Sequence, residues 1–481
     1  MNYKLISYII GWILKFEALF LLLPMLVGII YKEHNIAVIY LITAVICFGL
    51  GSLLTYIGNT RSTLYTREGF VSVSLGWIVL SFFGALPFVL SGDIPSLTDA
   101  LFETISGFTT TGASILSNVE ALSKANLFWR SFTHWIGGMG VFVFVMAILP
   151  MMGGSTMNLM KAESPGPSVG KFVPRVKDTA KILYSIYIVI TIAQIIILLI
   201  CKMSLFDALT TTFGTVGTGG FGIKNDSMAG YSPAIQNVVT TFMILSGINY
   251  SAYFCLLMKD IKGAFSIEEV RVYLLIILIS AGIISINTLQ LFDGSFGTSL
   301  RHAFFQVGSV ITTTGFATTD FDQWPQLSKT ILVILMFIGA CAGSTGGGIK
   351  VSRITLLFRT IKKEFSIMIH PRLVKKIKID GHSIPHEVIR STNVFIAVYF
   401  IVYFISLLLI SIDNFDFTTN FTAISATLNN IGPGLEMVGP TCNFSIYSTF
   451  SKYVLMFNML AGRLEMFPML ILLHPSCWKR Q

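Results

Sequence analysis

Long apolar runs separated by short polar links fill most of the chain. Two runs open it, Leu5–Ile30 and Ile36–Tyr56, joined by the polar link Tyr31–Asn35. A helix needs about 20 apolar residues to cross roughly 30 Å of hydrocarbon, so both runs are long enough to span a membrane. No small-residue cleavage site follows the first run, which favours a retained helix over a signal peptide. We therefore predict two transmembrane helices within residues 1–66.

One pattern then recurs four times: a long apolar span, a shorter Gly- and Thr-rich segment, and a second long span. Internal repeats of this kind indicate a modular architecture. The fold class we predict is an all-α integral membrane protein with four tandem helix–pore-loop–helix repeats around one pore, plus the two extra N-terminal transmembrane helices. The predicted parts are residues 67–150 (first repeat), 151–262 (a cytosolic link and the second repeat), 263–360 (third repeat), 361–387 (a basic cytosolic link) and 388–481 (fourth repeat). Long spans in the first two repeats are predicted near Val71–Leu90, Phe128–Leu149, Ile182–Cys201 and Ile235–Met258.

The short middle segment of each repeat begins as a mildly apolar helix and breaks at a Thr- or Asn-rich stretch that ends in glycine. The four segments are FETISGFTTTGAS (Phe102–Ser114), FDALTTTFGTVGTGGFG (Phe206–Gly222), HAFFQVGSVITTTGFA (His302–Ala317) and NFTAISATLNNIGPG (Asn420–Gly434). Their closing glycines, Gly112, Gly219, Gly315 and Gly432, recur at intervals of roughly 100 residues. A single segment of this kind is equally well explained as a kinked helix with small packing residues. Four in register favour a shared role.

Irregular backbone survives inside a bilayer only where protein buries it or where it lines water. Four such segments on one axis would turn carbonyl oxygens inward, where they replace the hydration shell of an ion. Glycine permits the backbone angles that this requires, and the negative ends of the preceding helix dipoles favour a cation. The predicted filter residues are Thr110, Thr111, Gly112, Gly217, Thr218, Gly219, Thr313, Thr314, Gly315, Asn430, Ile431 and Gly432.

Composition and charge agree with a membrane protein and argue against other classes. Hydrophobic residues make up 53% of the chain and charged residues 12%, against about 25% charged in ordinary soluble domains. The formal net charge of +9 comes from links between apolar runs, which fits cytosolic links and not a nucleic-acid-binding face. The basic link Met151–Lys177 and the basic stretch after the third repeat are therefore predicted to be cytosolic, and both termini with them. The six cysteines form no CxxC pair, so neither a disulfide framework nor a zinc site is predicted.

Several motifs together resemble a known family: TTTGAS, TVGTGGFG, TTTGF, LNNIGPG, WIGGMG (Trp135–Gly140), AGSTGGGIK (Ala342–Lys350) and AGRLEMFP (Ala461–Pro468). They are similar to the TrkH family of the Trk/Ktr/HKT superfamily of potassium transporters, over essentially the whole chain. The resemblance implies potassium uptake across the bacterial inner membrane, a homodimer with one pore per subunit, and a cytosolic nucleotide-binding regulator of the TrkA type. Potassium would be the substrate, with no covalent cofactor. In this superfamily, glycine at the position of Gly112 goes with potassium selectivity, and serine there goes with sodium permeability in some plant members.

The run Gly339–Gly348 interrupts an apolar span of the third repeat. A flexible packing kink is one interpretation, since glycine is a poor helix former. A phosphate-binding loop is excluded because Ile349 stands where its lysine should be and no strand precedes it. The resemblance implies an intramembrane loop that gates the pore, with Arg463 projecting into the pore beside it as a barrier to cations. The predicted gate residues are Gly343, Ser344, Thr345, Gly346, Gly347, Gly348, Lys350 and Arg463.

Several alternatives stay open at the level of sequence. A sodium or mixed sodium–potassium transporter of the same fold is the second hypothesis for function, and flux is either passive or coupled to protons or sodium. An intramembrane enzyme is disfavoured because the sequence contains no HExxH, no GxSxG and no deep carboxylate pair. Asn249 either lines a cavity or bonds a neighbouring helix. The histidine-containing segment His370–Glu387 favours docking of the partner over zinc binding, because it has no acidic or cysteine cluster.

Overall fold

The computed structural model describes residues 1–58, 65–140, 176–374 and 376–479, and across these ranges the chain is almost wholly helical. The strands found there are β1 (Lys378–Ile379) and β2 (His382–Ser383), which pair antiparallel with Lys378 opposite Ser383. The helices, numbered along the described residues, are α1 (Tyr3–Ile30), α2 (His34–Ile57), α3 (Thr66–Ser91), α4 (Leu97–Phe108), α5 (Lys124–Gly138), α6 (Val176–Ile200), α7 (Leu205–Val216), α8 (Pro233–Ser246), α9 (Tyr250–Leu257), α10 (Ile261–Ser266), α11 (Glu268–Asn287), α12 (Phe296–Ile311), α13 (Gln326–Phe337), α14 (Val351–Ile369), α15 (His386–Ile410), α16 (Phe417–Leu428), α17 (Thr449–Arg463) and α18 (Phe467–Leu473).

Six of the described helices are long and apolar enough to cross a membrane: α1, α2, α3, α6, α11 and α15. The first two are the opening runs of the sequence, and the other four are the first long span of each unit. Each of these four spans is followed by a short helix (α4, α7, α12 or α16) and then by a second helix (α5, α8, α13 or α17). The chain is therefore an all-helical protein with several membrane-spanning helices.

The second helix of the later units is broken, which corrects the prediction of one continuous span near Ile235–Met258. Helices α8 and α9 meet at 92° across residues 247–249. A long loop separates α13 from α14, and a short break separates α17 from α18, which has a proline in its first turn. Glycines and proline at these points explain the breaks, because both disfavour a helix interior.

Part of the predicted organisation lies outside the described residues. Helix α5 ends at Gly138, and residues 141–149 of the span predicted near Phe128–Leu149 are not described. Residues 151–175 of the predicted link Met151–Lys177 are likewise not described. The predicted boundary between the first two repeats therefore also lies outside the described residues.

Helices α1 and α2 form a hairpin whose turn contains Lys32 with a φ of 63°. They cross closely at two glycines. A Cβ added to Gly11 would lie 2.7 Å from the carbonyl oxygen of Gly51, and the reverse distance is also 2.7 Å. Small residues permit such backbone approach between membrane helices.

The two ends of the described chain lie together. The hydroxyl of Tyr3 donates to the carbonyl of Trp478 at 3.0 Å. Ile6 of α1, Val71 of α3 and Cys477 form one small buried cluster. The first and last described segments are therefore on the same side of the molecule.

We expect the variant Gly51→Val to weaken the packing of α1 on α2, because its side chain would meet the carbonyl oxygen of Gly11. Overpacking of this kind costs about 1–3 kcal/mol. The melting temperature of the purified protein in detergent measures the loss. Gly49→Val is the matched control, since nothing lies within 4 Å of a Cβ at Gly49 on the same helix. Equal melting temperatures for the two variants would contradict the close crossing.

Candidate functional site

Each of the four short helices starts at a side-chain cap and ends at a bend. Their N-cap side chains accept a hydrogen bond from the backbone N–H three residues further on, which satisfies one free amide of the first turn. The caps are Ser96, Ser204, Ser295 and Asp416. The four helices thus begin in the same way and direct their C-terminal ends at the bends.

The four bends have the same backbone conformation. The residue after each C-cap has a positive φ: 55° at Thr110, 54° at Thr218, 58° at Thr313 and 56° at Asn430. Two residues later comes a glycine with positive φ: 79° at Gly112, 78° at Gly220, 85° at Gly315 and 101° at Gly432. The N–H of the residue in between donates to the carbonyl five residues back, at 2.8 Å in every case: Thr111 to Ser106, Gly219 to Gly214, Thr314 to Ser309 and Ile431 to Ala426.

This pattern corrects the register predicted for the second bend. Gly217 is the C-cap of α7, and Gly220, not Gly219, has the positive φ shared by Gly112, Gly315 and Gly432. The residues of the second bend that match the other three bends are therefore Thr218, Gly219 and Gly220. The predicted set, Gly217, Thr218 and Gly219, lies one position too early. The sequence TVGTGGFG holds four glycines, and their spacing alone does not show which of them has the positive φ.

The bends pack against one another in a closed ring. A Cβ added to Gly112 would overlap the carbonyl oxygen of Gly219 in the second bend. In the same way, a Cβ added to Gly220 would overlap the carbonyl oxygen of Thr314, and a Cβ added to Gly315 would overlap the carbonyl oxygen of Ile431. A Cβ on Gly432 would lie 2.9 Å from the carbonyl oxygen of Thr111, in the first bend. Only glycine leaves room for such main-chain contacts. The four glycines Gly112, Gly220, Gly315 and Gly432 also line one common cavity.

A buried ion pair holds the segments that follow the first two bends. Arg130 of α5 and Glu103 of α4 are 3% and 1% exposed and lie 2.5 Å apart. Glu103 accepts from the N–H of Ile115 at 3.0 Å, just beyond the first bend. Arg130 donates to the carbonyl of Gly222 at 2.7 Å and stacks over Phe221 at 3.6 Å, just beyond the second.

His134 makes a second brace between the same bends. Its Nδ1 lies 2.8 Å from the carbonyl of Gly107, and its Nε2 accepts from the N–H of Phe221 at 3.2 Å. Sequence reasoning missed both braces. A signal was present, because Arg130 and His134 are polar residues one helical turn apart inside a predicted membrane span, where such residues are costly.

Residues 338–350 form a loop, here called the glycine loop, that is closed at its neck. Gly339 donates to the carbonyl of Ile349 at 2.7 Å, and Val351 donates to that of Ala340 at 3.3 Å. At the tip, the N–H of Gly347 donates to Oγ1 of Thr313 at 2.7 Å. The loop therefore reaches the first residue of the third bend.

Two cations meet the glycine loop. Nζ of Lys350 donates to the carbonyls of Gly346 and Gly347, the latter at 3.0 Å. Arg463 donates to the carbonyl of Thr345 at 2.9 Å and to those of Gly137 and Gly138 at the end of α5, the latter at 2.9 Å. All the residues predicted for the gate thus lie in one place, and most of them line one cavity.

The structure also places residues that the sequence left undecided. Glu465, close to Arg463 in sequence, pairs with Arg353 of α14 at 2.6 Å. Asn249 bonds a neighbouring helix through Glu269 at 3.4 Å. The segment His370–Glu387 contains the β1–β2 hairpin and the start of α15. Over the part of the chain that the structure describes, no three His, Cys, Asp or Glu side chains are grouped as for a metal ion.

The chain is similar to known proteins over essentially its full length. A family model described as "TrkH: Cation transport protein" matches residues 36–479. The chain is 38% identical over 491 residues to the Trk system potassium uptake protein TrkH of Salmonella typhimurium, with 100% of both proteins covered. It is 34% identical to the Trk system potassium uptake protein TrkG of Escherichia coli over 99% of each. The crystal structure of the potassium transporter TrkH from Vibrio parahaemolyticus matches with a TM-score of 0.89 at 34% identity, covering 100% of both chains.

We expect Arg130→Met to lower the free energy of unfolding by about 3–5 kcal/mol, because it leaves the Glu103 carboxylate buried without its cation. Denaturant titration in mixed micelles measures the change. Lys202→Met is the control: Lys202 is an exposed cation in the turn after α6, so its replacement should cost less than about 0.5 kcal/mol. Similar losses in both variants would show that the buried pair does not brace the ring.

Proposed function

The chain belongs to the TrkH family of cation transport proteins, and on that premise we propose that it carries potassium ions into the cell through the ring of four bends. The observation that carries this proposal is the ring itself. Four main-chain bends of one conformation meet edge to edge at glycines too crowded for any side chain. Backbone carbonyls brought together in this way can replace the water shell of an ion.

The proposed filter consists of three layers of equivalent residues. Thr110, Thr218, Thr313 and Asn430 form the layer next to the short helices; Thr111, Gly219, Thr314 and Ile431 form the middle layer; Gly112, Gly220, Gly315 and Gly432 form the third. The C-terminal ends of α4, α7, α12 and α16 face the first layer, and their partial negative charge favours a cation. In this arrangement the four units are repeats around one pore, and α1 and α2 are additions outside it.

We favour potassium over sodium because the third layer is glycine in all four bends, as in the potassium-selective members of the superfamily. The relatives that match over the full chain are named as potassium uptake proteins. A sodium or mixed sodium–potassium transporter is the second candidate. Both are transport functions, and neither requires catalytic residues.

The glycine loop is the proposed gate. Its tip contacts Thr313 of the first layer, so an ion leaving the filter on that side would meet the loop. Lys350 and Arg463 lie at the same place. Their charges repel a cation strongly in a region of low dielectric constant, so the loop and the two cations close the path together.

The gate is proposed to respond to a cytosolic nucleotide-binding partner of the TrkA type. The glycine loop continues directly into α14, and α14 leads to the segment His370–Glu387, the proposed docking surface. With both ends of the described chain on one side, the two termini would be cytoplasmic. The protein would act as a homodimer in the bacterial inner membrane.

We expect the wild-type protein to restore growth at limiting potassium in cells that have no other uptake system, and Gly112→Ser to weaken discrimination against sodium. The serine side chain would meet the carbonyl of Gly219 and force the first bend out of its conformation. Competition between potassium and sodium in vesicle flux measures selectivity. Gly297→Ser is the control, because nothing lies within 4 Å of a Cβ there. Unchanged selectivity in Gly112→Ser would remove the role given to this glycine.

We expect Arg463→Ala to raise potassium flux in the absence of the partner. The variant removes one positive charge from the path and the hydrogen bond that holds Thr345 of the glycine loop. Flux into vesicles containing equal amounts of purified protein measures the effect. Lys202→Ala, which removes an exposed cation in the turn after α6, should leave flux unchanged. A flux in Arg463→Ala equal to that of the wild type would contradict the barrier.

A further inference from the structure

A buried carboxylate outside the filter holds both ends of the glycine loop. Glu269, in the first turn of α11, is 8% exposed. Its Oε1 accepts from the N–H of Ala342 at 2.7 Å and from that of Ser352 at 3.0 Å. Ala342 lies in the first half of the glycine loop, and Ser352 lies in the first turn of α14, which follows the loop. One oxygen atom therefore ties together the two segments that meet at the neck.

Glu269 also supplies a helix cap that the local sequence does not. The N-cap of α14 is Lys350, whose side chain makes no capping hydrogen bond and bonds the loop carbonyls instead. The free N–H groups of a helix start need an acceptor, and a negative charge there is favoured by the helix dipole. The carboxylate of α11 meets both needs from a different helix.

The bend between α8 and α9 completes the attachment. The Oδ1 of Asn249 accepts from the N–H of Ser251 at 2.8 Å and so caps α9, which leaves its Nδ2 to face Oε2 of Glu269 at 3.4 Å. The neighbouring backbone bonds the loop directly: Tyr250 donates to the carbonyl of Gly343 at 3.1 Å, and Cys341 donates to that of Gly247 at 3.1 Å. Loop, bend, α11 and α14 are therefore joined at Glu269.

From this junction we propose that Glu269 and Asn249 form a clasp that positions the glycine loop against the ring and sets how readily the loop leaves it. The inference rests on the proposed function, in which the loop is the gate. The tip is held at the ring by a hydrogen bond between Gly347 and Thr313, and the neck is held by the hydrogen bonds that Glu269 accepts. The carboxylate of Glu269 is the group in this clasp that holds the two sides of the neck together. Glu269 and Asn249 act as positioning residues, because neither lies in the proposed ion path.

The clasp predicts a pattern of single and double variants. In Glu269→Gln the remaining oxygen can still accept from Ala342 and Ser352, but the new amide NH₂ faces the NH₂ of Asn249, donor against donor. In Asn249→Asp two carboxylates face each other. Each single variant should raise potassium flux without the partner by at least roughly tenfold, the lower end of the effect of losing one hydrogen bond to a charged group. In the double variant the glutamine donates to the aspartate, so flux should return to within about twofold of the wild type.

The test measures flux in vesicles and hydrogen exchange of residues 338–352 on the same purified proteins. Loop exchange should be faster in both single variants and should return to the wild-type rate in the double variant, while the potassium-to-sodium ratio stays constant in all of them. Glu364→Gln is the control, since it makes the same chemical change at an exposed position of α14. A merely structural role for Glu269 would instead lower flux and folding in both single variants, with no recovery in the double.

The two readouts separate this inference from the proposed function. If the wild type conducts potassium but the single variants neither conduct more nor exchange faster, the clasp is wrong. It is also wrong if the double variant is no closer to the wild type than either single variant. If no protein conducts potassium while loop exchange rises in the single variants and recovers in the double, the clasp stands and the proposed function falls.

Discussion

Main-chain contact between neighbouring bends is the constraint on which this structure depends. At Gly112, Gly220 and Gly315 an added Cβ would overlap the carbonyl of the next bend, so the ring closes only if these positions are glycine. Each bend also holds a non-glycine residue at positive φ, Thr110 in the first, which is an unfavourable conformation for a side-chain-bearing residue. Such strained backbone persists where the surrounding structure fixes it.

The surroundings fix it with hydrogen bonds from the short helices and their neighbours. The hydroxyl of Ser309 on α12 donates to the carbonyl of Phe316 at 2.6 Å, and the N–H of Leu435 donates to Oγ1 of Thr422 on α16 at 2.9 Å. With the Glu103–Arg130 pair at the first two bends, these contacts tie each bend to the rigid part of its own or the adjacent unit. Buried polar networks of this kind rigidify a site when every member is satisfied. Braced in this way, the ring holds its size.

Much of this arrangement was visible in the sequence, because it depends on local patterns. Repeated glycines after short apolar helices predicted the bends at Gly112, Gly315 and Gly432, and the glycine run of the third unit predicted a break there. The predicted register of the second bend is one residue early because TVGTGGFG contains four glycines, and only the backbone angles distinguish them. The break between α8 and α9 was missed for a related reason: apolar content measures affinity for the membrane and does not show where a helix stops.

Contacts between distant residues could not be predicted in the same way. Glu269 bonds residues 73 and 83 positions further along the chain, and no local pattern marks such pairs. Asn249 could be recognised as polar at depth, but its partner became identifiable only once α11 and the bend between α8 and α9 were placed together. The predicted role of Arg463 came from family resemblance, whereas its three carbonyl partners came from the fold.

A structure of the protein in rubidium or thallium, with anomalous diffraction recorded from the ion, tests the central claim most directly. The account predicts anomalous density on the axis of the ring, between the carbonyls of the four bends, and its replacement by weaker density when sodium is the only cation. Density at another place in the protein, or a ring whose centre is filled by protein atoms and holds no ion, would contradict it.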